Sequence, residues 1–147
     1  MIEVRASVEI DRPASEVFDY LADMANNPRW QRGMRSCRWT SEPPLRVGST
    51  YDQEASFLGK PITSSFEVTE LEPGSRIRIE TTGGSMPIDV TRSVEPDGNR
   101  SRVVAIVRGD PSGLFRLAAP LMKLAVRSSV GRDYRRLKAL LETPSPA

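Results

Sequence analysis

The stretch IEVRASVEIDRPASEVFDYLAD, residues 2–23, carries the first decision about the fold. Ile2, Val4, Ala6, Val8 and Ile10 alternate with Glu3, Arg5, Ser7, Glu9 and Asp11. A period of two sustained over this length spells a strand with one wet face. Pro13 interrupts it, and Val17, Phe18, Tyr20 and Leu21 then recur at helical spacing. This predicts a short helix near 14–23, with the acids Glu16 and Asp19 in its early turns, where the helix dipole favours them.

Outward from this unit, Asn26, Asn27 and Pro28 end the helix, and Arg29 to Gly33 reads as a further short helical turn carrying Trp30. Alternation resumes over 34–41, and Pro43-Pro44 and Gly48 bound a loop. Tyr51, Gln53, Ala55 and Phe57 alternate with polar neighbours, Gly59-Lys60 fits a hairpin turn, and Ile62, Ser64, Phe66 and Val68 carry the returning strand. Pro73-Gly74 turns the chain into a strand over 76–82. Gly83-Gly84 is expected to turn it again into a strand over 86–94. Asp97-Gly98-Asn99 signals a hairpin into a last strand over 102–108. A long helix then runs to the end. Phe115, Ala119, Met122, Val126, Val130, Leu137 and Leu140 form its apolar stripe, with Arg132, Arg135 and Arg136 mostly opposite. Pro120 must either kink this helix or open its regular part. The class is α+β: a seven-stranded antiparallel sheet, two short helices after the first strand, and a long C-terminal helix. One domain is expected over 1–142, with a tail at 143–147 that should fray.

Composition narrows the chemistry. The 147 residues include 21 Lys and Arg against 19 Asp and Glu, a formal charge of +2, which is too small an excess to suggest nucleic acid. Histidine is absent, so the commonest general base and the commonest metal ligand are both missing. No Ser-His or Cys-His arrangement and no imidazole zinc site can form. No metal and no cofactor is expected. Cys37 stands alone, so no intrachain disulfide is possible. The purest apolar run, Leu117 to Met122, is far short of a membrane span. With no visible secretory signal, a cytoplasmic protein is expected.

The segment Val17-Phe18-Asp19-Tyr20-Leu21-Ala22-Asp23, followed by Asn27-Pro28-Arg29-Trp30, resembles the opening of the START-like or SRPBCC superfamily. Within it, the chain is most similar to the bacterial polyketide cyclase/dehydrase group. The run Leu137-Lys138-Ala139-Leu140-Leu141-Glu142 resembles how those chains end. The resemblance implies a helix-grip fold, in which a curved sheet wraps around the C-terminal helix and leaves a cavity between them. It does not imply one reaction, because the superfamily includes lipid carriers, hormone binders, aromatase/cyclases and oxygenase domains. The oxygenase branch depends on metal-binding histidines that this chain lacks.

If the helix-grip reading holds, the cavity is lined by Phe18, Trp30, Tyr51, Ala55, Phe57, Phe66, Ile88, Val90, Val107, Met122 and Val126. Two polar residues share these faces. Gln53 lies in register with Tyr51 and Phe57, where it could orient a ligand hydroxyl or carbonyl, or simply be satisfied by backbone or water near the sheet end. Arg92 lies in register with Ile88, Val90 and Val94. Facing inward, its guanidinium could meet a ligand carboxylate or enolate. The commoner fate of such an arginine is a bulge or edge that turns it to solvent. Arg29, Arg32, Arg35 and Arg38 recur every third residue, but across a loop and a strand they need not share a face.

These readings point first to binding of a small hydrophobic molecule, such as a lipid, polyketide or isoprenoid. The alternative is a cyclase/dehydrase-type enzyme using the same cavity without metal, recognisable by two or more titratable groups converging there. The long helix suggests a further partner. Leu114, Leu117, Leu121 and Leu124 occupy its side opposite the core stripe, which fits a homodimer interface, a membrane surface or a covering loop. A kink at Pro120 could instead reset the phase and bring all four leucines to the core.

Overall fold

The computed structural model describes residues 2–57, 59–84, 87–110 and 117–143, apart from the side chain of Phe57. The strands are β1 (Ile2–Ile10), β2 (Met34–Trp39), β3 (Thr50–Phe57), β4 (Lys60–Glu72), β5 (Arg76–Gly84), β6 (Ile88–Asp97) and β7 (Arg100–Gly109). Helix α1 (Ala14–Ala22), a 3₁₀ turn (Met24–Asn26) and α2 (Asn27–Trp30) separate β1 from β2, and α3 (Ala119–Glu142) closes the chain. The seven strands form one sheet in the order β1-β7-β6-β5-β4-β3-β2. Every pairing is antiparallel. Strands β2 to β7 form a meander, and β1 closes its far side on β7.

The sheet curves, and local irregularities bend it. Register shifts fall between Met34 and Ser36 on β2, and at Ser65/Phe66 and Val68/Glu70 on β4. Such bulges sharpen local twist and bend a strand. Gly83 and Gly84 stay paired with Ser65 and Ser64, so they belong to β5 and do not form the turn expected of them. Gly84 has φ 122° and lies so close to β4 that a Cβ there would stand 2.7 Å from the Thr63 carbonyl oxygen. The pair serves close strand approach, and β6 accordingly begins at Ile88. The Asp97-Gly98-Asn99 hairpin forms as read, with Gly98 at φ 62° in the left-handed region.

Helix α1 follows Pro13, which occupies its N-cap, and buries Val17, Phe18, Leu21 and Ala22 on one face. It ends at Asp23, whose extended backbone stops the helix. The Asp23 carboxylate accepts from Ala25 N at 3.2 Å and from Trp39 Nε1 at 2.9 Å, which sets the 3₁₀ turn against β2. Helix α3 starts at Ala119 with Pro120 in its first turn, where a missing N–H costs nothing. Its far end is tied to the start of the chain. Lys138 Nζ donates to the Glu9 carbonyl at 2.8 Å, Asp11 N donates to Glu142 Oε2 at 2.8 Å, and Arg12 Nε donates to the Leu141 carbonyl at 2.9 Å.

The core lies between the concave sheet face, α1 and the second half of α3. Trp30, Tyr51, Phe66, Ile10, Leu21, Met24, Ile77 and Leu137 are its largest fully buried side chains. The inward stripe of α3 departs from the expected one at its end. Tyr134 and Leu137 are buried and Leu141 packs on the core, while Leu140 is 40% exposed. Tyr134 sets its ring edge-on against Trp30, with centroids 4.9 Å apart. Phe115 lies outside the described residues.

Candidate functional site

Between the concave face and α3 lies a cavity in two adjoining compartments. The outer one, about 230 Å³, opens at the end of the sheet where β1 begins and β7 ends. Ile2, Ala55, Ile62, Ser64, Met122 and Val126 line it, among others. The inner one, about 160 Å³, lies against Trp30, Tyr51, Phe66, Ile79, Val90, Arg92 and Tyr134. Gln31, Met34, Gln53, Ile88, Val107 and Asp133 line both and form the seam.

Most of the residues singled out in the sequence are thus brought together. Trp30, Tyr51, Phe66, Val90 and Arg92 surround the inner compartment, Ala55, Met122 and Val126 the outer, and Gln53, Ile88 and Val107 the seam. Phe18 is not among them. Helix α1 lies across the other end of the sheet, and Phe18 there lines a wider, more open hollow of about 660 Å³ with Trp39, Leu45 and Leu71. That hollow is larger, yet none of its lining side chains carries a buried polar atom without a partner. The side chain of Phe57 lies outside the described residues.

Arg92 is the unusual group. Its strand, β6, runs between β5 and β7, so neither an edge nor a bulge carries the side chain to solvent. It is 4% exposed. Its Nη1 donates to the Leu21 carbonyl at 3.2 Å and to Asn27 Oδ1 at 3.2 Å, and lies 3.4 Å from Met24 Sδ. The guanidinium carbon stands 5.0 Å from the centre of the Trp30 ring, a cation–π distance. It thereby satisfies a carbonyl near the C-terminal end of α1 and fixes the buried Asn27 of α2. Among the described residues, no carboxylate lies within ion-pairing distance of it. A charge taken this far from water without a counterion is costly, and it favours any anionic or strongly accepting group that enters beside it.

Three polar atoms of residues lining the inner compartment have no partner among the described residues: Arg92 Nε, Trp30 Nε1 and the Tyr51 hydroxyl. Buried polar atoms are nearly always paired, with protein or with water, so these three leave donors free for water or another polar group. Burial pushes the Tyr51 and Tyr134 phenols above their ordinary range, against the opposing pull of Arg92, so both stay protonated at neutral pH. Asp133, on the seam, is also raised by burial, the largest influence on it. Its Oδ1 accepts from Arg32 N at 3.3 Å and from Arg136 Nη1 at 3.1 Å, and Arg136 Nη1 also donates to the Trp30 carbonyl at 3.0 Å. Arg136 therefore turns from the outer side of α3 to latch α3 onto α2.

Sequence reasoning missed Tyr134 and Asp133. Tyr134 could have been found as the residue four beyond Val130 on the same helix face. Asp133 offered no such signal, because its place at the seam depends on where α2 docks. The remaining candidates stay apart from the cavity. Cys37 is half-buried, with its thiol pushed up to about 11 mainly by burial, so it is not a nucleophile at neutral pH. Arg29, Arg32, Arg35 and Arg38 are all exposed, spread over α2, the following loop and β2. On the convex face, Arg78 binds Asp89 through Nε at 3.0 Å and lies near Glu70 and Glu80. Among the described residues, no cluster of three or more acids and cysteines is placed to hold a metal ion.

A seven-stranded antiparallel sheet gripping a long C-terminal helix, with a cavity between them, is the architecture of START-like proteins. The family whose sequence model matches is "Polyketide cyclase / dehydrase and lipid transport", over residues 1–142, and the chain belongs to it. A START superfamily protein from Mycobacterium smegmatis is similar in structure, with a TM-score of 0.80 at 13% identity, covering 97% of this chain and 98% of that one. The Zhui aromatase/cyclase from Streptomyces sp. R1128 superimposes with a TM-score of 0.78 at 15% identity, covering 95% of this chain and 93% of that one. A protein from Thermus thermophilus is similar with a TM-score of 0.74 at 22% identity, covering 94% of this chain and 98% of that one. At these identities the likeness is one of fold. No curated protein matches the sequence.

Proposed function

We propose that the chain binds a small, mainly apolar molecule, a lipid, polyketide or isoprenoid, whose polar end carries an accepting oxygen directed at Arg92. The observation that carries this reading is the buried guanidinium with no ion-paired carboxylate among the described residues, set among unpartnered Trp30 and Tyr51 donors at the inner end of a mainly apolar cavity. Apolar burial along the outer compartment supplies most of the affinity, at roughly 25 cal/mol per Å² before the costs of association. The inner donors select which end enters first.

A cyclase/dehydrase reading draws support from the convergence of Arg92, Tyr51, Tyr134 and Asp133 on the same compartment. Arg92 would hold an enolate oxygen, and a tyrosine would donate a proton. The acid–base chemistry is lopsided, however. The two phenols hold their protons and Arg92 cannot release one, which leaves Asp133 to accept, and Arg136 and the Arg32 N–H already occupy one of its oxygens. The constellation is better suited to orienting a ligand than to abstracting protons from it, and binding is the leading reading.

Native mass spectrometry of the purified chain, followed by titration with an apolar fluorescent probe, tests the proposal. Val90→Asp should weaken probe binding at least tenfold, while Glu54→Lys should leave it unchanged. Equal effects from both would overturn the cavity as the site. Turnover of a linear poly-β-ketone thioester to a cyclised product, lost in Tyr51→Phe, would transfer the conclusion to the enzymatic reading.

A further inference from the structure

The first half of α3 has two opposite apolar faces. Met122 and Val126 look into the outer compartment. On the other side, Leu121 and Leu124, with Leu117 just before the helix, stand in a row to solvent at 71%, 63% and 87% exposure. Pro120 stands in the first turn of α3 and does not bring these three leucines to the core; Leu114 lies outside the described residues. Three exposed leucines at neighbouring positions, on a chain whose other large apolar side chains are mostly covered, form a patch of the kind that monomers seldom leave bare.

The charge around this row identifies what covers it. From Pro111 to Arg132 the sequence contains Arg116, Lys123, Arg127 and Arg132, and no Asp or Glu. Lys123, Arg127 and Arg132 are exposed, and among the described residues none of them forms an ion pair. A second copy of the chain fits this poorly. A two-fold interface sets a patch against itself, so the basic residues Lys123 and Arg127 would face the same basic patch of the other copy, with no acid in the segment to answer them. A surface that is anionic at its outside and apolar beneath fits both features at once.

We propose that the exposed face of α3, from Leu117 to Arg127, docks on an anionic lipid membrane. The leucines enter the boundary between headgroups and acyl chains, and the basic residues rest on the phosphates and carboxylates. Because Met122 and Val126, on the opposite face of the same turns, line the outer compartment, docking sets that compartment directly behind the docked helix, about one helix diameter from the bilayer. The passage of an apolar ligand between bilayer and cavity rests on the function proposed above. The docking itself does not.

The test is flotation of the full chain with vesicles of phosphatidylcholine alone, and with about a third phosphatidylserine, at low and physiological salt. The chain should float with the anionic vesicles, weakly or not at all with the neutral ones, and less as salt rises. Each basic residue at such a surface is worth roughly a fivefold gain in affinity, so Lys123→Glu with Arg127→Glu should lower partitioning more than tenfold. Leu121→Glu with Leu124→Glu should do the same. These positions are exposed, so neither variant should move the melting temperature or the binding of an apolar probe. Failure to float with anionic vesicles, or equal flotation with neutral ones, overturns the proposal. So does a wild-type dimer in light scattering that the leucine variant converts to a monomer. Flotation without any probe binding would uphold the docking surface and remove the cavity reading alone.

Discussion

Replacing Arg92 by methionine separates the two things this side chain does. The substitution keeps a long, flexible apolar stem and removes the guanidinium. On stability, two terms oppose each other. The Leu21 carbonyl and Asn27 Oδ1, each held by Nη1 at 3.2 Å, lose their donor. An unsatisfied buried acceptor costs about 1–3 kcal/mol. Against this, a buried cation with no counterion among the described residues is relieved, which returns several kcal/mol. The net change should lie within about 2 kcal/mol of zero. Binding has no such cancellation. A ligand carboxylate that pairs with the guanidinium loses a charged hydrogen bond of about 1.5–3 kcal/mol, a fall in affinity of roughly ten- to hundred-and-fifty-fold. A matched alcohol loses a neutral-acceptor bond and falls much less. Displacement titrations with a fatty acid and the alcohol of equal chain length, at a pH where the acid is ionised, read this difference directly, with thermal melts as the control. Equal losses for acid and alcohol, or no loss for either, would refute the reasoning. A destabilisation beyond about 4 kcal/mol would also refute it, because it would show Arg92 to be a structural clamp with no surplus for a ligand.

Two further expectations concern titration and reactivity. With its thiol pushed up to about 11, Cys37 should present roughly a hundredfold fewer thiolates at pH 8 than an ordinary cysteine, so iodoacetamide should modify the folded chain far more slowly than the denatured one; equal rates would contradict the burial that sets this value. Glu142 is held below its ordinary value by Lys138 first and by the Asp11 N–H second. Its contribution to stability is therefore present above the unfolded pKa and lost as the pH falls through the folded one, so Glu142→Gln should flatten the acid side of the melting profile below about pH 5. Asp133 has the opposite sign: raised by burial, it makes stability fall as the pH rises from its unfolded to its folded value, and Asp133→Asn should remove that component.

Much of what is local was legible in the chain alone, although Asn27-Pro28, read as a break, open α2 over Asn27–Trp30, with Pro28 tolerated in its first turn. Side-chain alternation is a property of one strand, so the inward parity of Tyr51, Gln53 and Ala55, and of Ile88, Val90 and Arg92, could be read before any partner was known. The helical spacing of Met122, Val126 and Val130, the hairpin at Gly98 and the lack of imidazole were legible for the same reason. Everything set by a neighbour waited on the packing. Parity could point Arg92 inward, but only its seat on a strand flanked by β5 and β7 sealed it from water. Periodicity could give Phe18 a buried face, but the docking of α1 at the far end of the sheet turned that face away from the cavity. Gly83 and Gly84 read as a turn, and the closeness of β4 made them part of a strand. Tyr134 became core because Trp30 arrives from α2 to meet its ring. The cavity's size is of this kind too: no residue encodes it, since it follows from how far the bulged sheet bends before α3 closes it.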